Sequence, residues 1–95
     1  MSVAEINNVE KEILLITQEE CAEVTQAISK VFRFGFDSVH NGKTNKEHLE
    51  EEIGDLLCMF QLLEETYLID PANVAMHATK KRQKLEIWSS IYQKV

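Results

Sequence analysis

Apolar residues recur at three- and four-residue steps along nearly the whole chain, and this period leaves few folds open. Ile6, Val9, Ile13, Ile16, Val24, Ala27 and Val31 mark one such stripe. Leu49, Ile53, Leu56, Leu57, Phe60 and Leu63 mark a second, and Val74, Ala78, Leu85, Trp88, Tyr92 and Val95 a third. Spacing of this kind is the signature of one face of an α-helix. Only three glycines and one proline punctuate the 95 residues. The expectation is an all-α single domain over residues 1–95: a bundle of three main helices.

The interruptions set the boundaries. A first helix is expected from about Ala4 to Phe32. "RFGFDSVHNGKTN" (33–45) then breaks the stripe with Gly35, Asp37, Asn41 and Gly42 and reads as a loop, with room for a short extra helix. Thr44 and Glu47 fit a capping box that starts a second helix near Asn45. In "LIDPAN", Asp70 suits the cap of a third helix and Pro71 its first turn. The second helix is apolar around much of its girth in "LLCMFQLL", more than one small subunit can cover, so a homo-oligomer is expected. Close packing against a neighbour would also explain Gly54 in the middle of that helix.

Charge narrows the function. A net charge of −6 argues against general nucleic-acid binding, which needs clustered Lys and Arg. No 18-residue apolar run and no basic-then-apolar leader is present, so the expected place is the cytoplasm, or the host cytoplasm for a phage-encoded chain. Cys21 and Cys58 lie outside any CxxC or zinc spacing and read as buried free thiols in a reducing compartment. His40, His48 and His77 show no ligand spacing and read as surface residues. "GKT" (42–44) lacks the earlier glycine and the preceding strand of a phosphate-binding P-loop, which excludes that motif.

Four acids sit where the stripes should be dry. At about 100° per residue, Glu20 falls within roughly 20–40° of Ile13, Ile16, Val24 and Ala27, with Glu23 at the stripe's edge. In "LEEEIGDLL", Glu52 and Asp55 repeat the same three-residue offset beside Leu56, Met59 and Leu62. Unpaired buried carboxylates pick up protons or demand cations, and the chain offers few inward-facing Lys or Arg. A divalent metal answers the need, and oxygen-only ligation suits Mg²⁺, with Mn²⁺ able to substitute, better than Zn²⁺. Glu-x-x-His, the mark of di-iron bundles, does not occur.

Glu20-x-x-Glu23, a gap of 28 residues, then Glu52-x-x-Asp55, set within "EECAEVTQAISKVFRFG" and "EEIGDLL", resembles the ExxE…ExxD signature of the all-α NTP pyrophosphohydrolases. The likeness spans roughly residues 9 to 66 and is greatest to the MazG-like branch, particularly its short single-domain members from phages and bacteria. That resemblance implies a helical homodimer or homotetramer that uses Mg²⁺ to cleave (deoxy)nucleoside triphosphates into monophosphate and pyrophosphate. It makes Glu20, Glu23, Glu52 and Asp55 metal ligands and gives Glu19 and Glu20 the catalytic positions, Glu19 orienting or activating water. Substrate contacts are expected from Lys81 and Lys84 in "KKRQKLEIW", which lacks the family's usual Asn, and from Lys30, Arg33 and a lid carrying Phe34 and Phe36. Phosphoribosyl-ATP pyrophosphohydrolases share the acid pattern but usually carry Tyr-His where this chain has Cys58 and Met59. A non-catalytic helical interaction module is the alternative from another class.

Overall fold

The computed structural model describes residues 5–92. Three helices account for most of it: α1 (Asn8–Phe34), α2 (Asn45–Glu65) and α3 (Pro71–Trp88). The architecture is all-α, with one minimal hairpin of strands β1 (Val39–His40) and β2 (Lys43–Thr44) between α1 and α2.

Each helix starts where local chemistry satisfies its free N–H groups. Asn7 and Glu10 close a capping box on α1: the Asn7 side chain accepts from the Glu10 N–H at 2.8 Å, and Glu10 Oε1 accepts from the Asn7 N–H at 3.2 Å. That cap places the start several residues after the expected Ala4, which itself lies outside the described residues. Thr44 and Glu47 form the box expected on α2. Asp70 caps α3 through the Ala72 N–H at 2.9 Å, with Pro71 in the first turn.

The loop at 35–44 holds a hairpin, not an extra helix. Val39 pairs with Thr44 and His40 with Lys43, leaving Asn41 and Gly42 as the two-residue turn. Both have positive φ, 52° and 79°, as a turn matching the twist of the strands requires. "GKT" is therefore a hairpin limb, and the Lys43 ammonium pairs with the Glu51 carboxylate on α2.

Antiparallel α1 and α2 form the packed unit. Ile13, Met59 and Leu63 are its buried centre, flanked by Ile16, Leu62, Leu68 and Ile69. The most buried residue is polar. Asn45, 1% exposed, donates from Nδ2 to the carbonyl of Gly35 at 2.9 Å and of Lys30 at 3.5 Å, tying the start of α2 to the end of α1. Gly35, at φ 86° and ψ 163°, holds a conformation closed to residues with a Cβ, and this turns its carbonyl toward Asn45.

By contrast, α3 has no buried residue and scarcely touches α1 or α2. The radius of gyration is 17.0 Å, against about 12 Å for a compact chain of this length. The expectation of buried thiols fails. Cys21 and Cys58 are free but exposed, because each lies one residue, or about 100°, off the inward stripe. A Cβ built on Gly54 meets nothing within 4 Å, so close packing inside the subunit does not explain that glycine.

Candidate active site

Midway along the α1–α2 groove the inward stripes turn from apolar to acidic. Glu20 comes from α1, and Glu52 and Asp55 from α2. One carboxylate oxygen from each lies within 4.8 Å of the other two. Oxygens sharing one Mg²⁺ at 2.0–2.1 Å are at most about 4.2 Å apart, a separation close to the spacing of this trio. Glu23, one turn beyond Glu20, does not join this trio.

The electrostatics are those of an acid cluster short of cations. Glu20 Oε2 is buried and, among the described residues, has no hydrogen-bond partner. Desolvation pushes the Glu20 carboxyl above the usual carboxylate range, and the charges of Asp55, Glu52, Glu23 and Glu19 push it the same way. Glu52 is raised by desolvation, then by Glu23, Asp55 and Glu51, with His48 acting weakly against. Glu23 is thus electrostatically part of the cluster although its oxygens stand outside the trio. Among the described residues no Lys or Arg offsets either acid. A buried acceptor with no donor, among converging carboxylates, fits a hard divalent cation.

The remaining predicted residues are dispersed. Glu19 is exposed on α1 beside Glu20. Lys30, Arg33 and Phe34 lie near the far end of α1, about 15, 20 and 21 Å along its axis from Glu20. Arg33 stacks over the Phe34 ring at 4.9 Å, and Phe34 meets His40 edge-on at 5.4 Å. Lys81 and Lys84 are exposed on α3. Of the expected set, then, the fold gathers Glu20, Glu52 and Asp55 and leaves the cations outside. Sequence reasoning missed Asn45, whose hydrogen bonds tie the start of α2, the helix of Glu52 and Asp55, to the end of α1, the helix of Glu20. Its only hint is a buried-type polar residue at the first helical position after a complete cap.

Across residues 8–86 the chain matches the family model of the MazG nucleotide pyrophosphohydrolase domain. The chain belongs to the MazG family. No curated protein and no solved structure matches it significantly. Nucleotide pyrophosphohydrolysis, a hydrolase activity, is the reaction class that MazG membership brings, and divalent metal is what MazG domains generally use. The acid trio lies inside the matched span. Among the described residues no helix is long and apolar enough to cross a membrane.

Proposed function

We propose that this MazG domain hydrolyses (deoxy)nucleoside triphosphates to monophosphate and pyrophosphate with Mg²⁺, Mn²⁺ substituting. The observation that carries the reading is the orphaned Glu20 Oε2 within the trio of Glu20, Glu52 and Asp55. These three acids, joined by Glu23, would hold the metal. When bound, the metal masks phosphate charge and lowers the pKa of coordinated water.

The chain's own residues supply position and proton transfer. Glu19, adjacent to the cluster and exposed, orients the attacking water and takes its proton. The water oxygen bonds to one phosphorus of the α–β bridge as that atom's bond to the bridging oxygen breaks; attack at the α-phosphorus expels pyrophosphate, attack at the β-phosphorus expels the monophosphate, and both routes give the same two products. Lys81 and Lys84 steady the phosphates. Because α3 does not pack on its own α1 and α2, their reach to the site belongs to the homo-oligomer, dimer or tetramer. Lys30, Arg33 and Phe34 start about 15, 20 and 21 Å along α1 from Glu20, and we assign their role to contacts made in the assembled oligomer.

Glu20→Gln and Asp55→Asn each remove ligand charge without changing shape. Pyrophosphate release from dNTPs is expected to fall at least 100-fold in both, with the helical circular dichroism unchanged. Full activity in either variant overturns the site assignment.

A further inference from the structure

A cavity of about 300 Å³ continues the groove next to the acid cluster. Val9, Glu12, Ile13 and Ile16 of α1 and Met59 and Leu62 of α2 line it. Ile16 precedes Glu20 by one turn and Met59 follows Asp55 by one turn. Since the two helices run antiparallel, both steps lead the same way along the groove. Measured along α1, the cavity begins about 6 Å from Glu20 and reaches Glu12 at about 12 Å. A nucleotide held by its phosphates at the cluster and laid along the groove in this direction would set its base over that interval. The opposite direction leads to Phe34 at about 21 Å, beyond the base.

The lining also fits a base in kind. Five of the six side chains are apolar, and the volume is at the small end of ligand pockets. Glu12 is the one polar member; it is exposed and, among the described residues, forms no ion pair. An ionised carboxylate only accepts hydrogen bonds. It therefore favours a base edge that presents two adjacent donors. Guanine does so through N1–H and the 2-amino group. Adenine and cytosine each set one amino donor beside a ring-nitrogen acceptor, and uracil and thymine set one N–H between two carbonyls.

We propose that this cavity is the base pocket and that Glu12 makes the enzyme prefer guanine nucleotides. The inference rests on the triphosphate hydrolysis proposed above and adds the base to it. Apolar walls alone discriminate weakly between bases, whereas a paired hydrogen-bonding edge is worth much more.

The test compares wild type with Glu12→Gln, an exposed substitution that the helix tolerates. Pyrophosphate release from dGTP, dATP, dCTP and dTTP gives kcat/KM, and calorimetry with the uncleavable α,β-methylene analogues of dGTP and dATP gives affinity without turnover. Wild type is expected to favour dGTP by about tenfold or more. A glutamine amide both donates and accepts, matching adenine and cytosine, so Glu12→Gln should lose about tenfold on dGTP and gain on dATP and dCTP. The analogues should reverse their order of affinity in parallel. Equal wild-type activity on all four bases, or a guanine preference that Glu12→Gln leaves intact, overturns the proposal while the hydrolase reading stands. No release from any nucleotide, together with no analogue binding, overturns both.

Discussion

At the scale of single residues, the acids of the groove make stability depend on pH in an unusual sense. Glu20 and Glu52 both have carboxyls raised by desolvation first and by neighbouring acids next. In the metal-free protein the folded chain therefore holds protons that the unfolded chain has already released. Their contribution is fully present below the unfolded pKa and is lost as pH rises through the raised folded value. Glu47 acts oppositely: hydrogen bonds from the Thr44 backbone and side chain hold it low, so its contribution is lost only as pH falls below the usual carboxylate range. The windows are separate. Melting in EDTA should give a lower midpoint at about pH 7.5 than at about pH 5, with the drop reduced in Glu20→Gln and reversed by Mn²⁺. A midpoint that climbs steadily over that interval in the metal-free protein would contradict this account of the cluster. Asn45 is the second residue whose removal should tell. Asn45→Ala strips donors from two carbonyls in an almost fully buried place and is expected to cost about 1–3 kcal/mol in urea unfolding. Mn²⁺ affinity should weaken with it, because the same bonds tie the helix of Glu52 and Asp55 to the helix of Glu20.

Among the elements, the turn from α2 into α3 stores a conformational cost. Leu68 N–H bonds to the Leu63 carbonyl at 3.0 Å and Tyr67 N–H to the Glu64 carbonyl at 3.1 Å, the pair that closes a helix through a left-handed residue. That residue is Tyr67, at φ 59° and 90% exposed, where glycine is usual. Tyr67→Gly is expected to stabilise the protein by up to about 1 kcal/mol, read as a higher thermal midpoint. A fall would mean that the exposed ring makes contacts in the assembled protein. The same turn shows what a sequence discloses and what it withholds. Thr44–Glu47 and Asp70–Pro71 were legible because a cap is a bond between residues two or three apart. The acid cluster was legible because helical period converts spacing into direction, which put Glu20, Glu52 and Asp55 on inward faces and Glu23 at an edge. The Asn41-Gly42 hairpin was legible in principle, but a two-residue strand has too little alternation to announce itself. Asn45, Tyr67 and the cavity depend on where a distant segment lies, and the burial of Cys21 and Cys58 was misjudged because a 100° step separates each from the stripe.

For the molecule as a whole, the exposed apolar surface is the fact that most needs a physical account. Ile53, Leu57 and Phe60 lie four and three residues apart on α2, forming a stripe roughly 140° from the acid face, and all three are exposed. On α3, Ile87 and Trp88 are exposed too, at 74% and 84%. Burying such a side chain is worth about 1.5–3 kcal/mol each, so one subunit alone forgoes several favourable contacts. The long radius of gyration goes with this, since α3 extends away from the α1–α2 hairpin and leaves the α2 stripe uncovered. A second copy offers self-complementary surface for the α2 stripe and for α3, as two-fold assembly requires. Light scattering of the intact protein should therefore give the mass of a dimer or tetramer. Leu57→Lys places an ammonium within the stripe and should shift that mass to the 11.0 kDa subunit. Because α3 carries Lys81 and Lys84, the dissociated variant should also lose affinity for triphosphate, seen as a raised KM, while Mn²⁺ binding persists, since Glu20, Glu52 and Asp55 all come from one chain. A monomeric wild type with full activity would refute the assembly and would require α3 to close on its own hairpin when substrate binds.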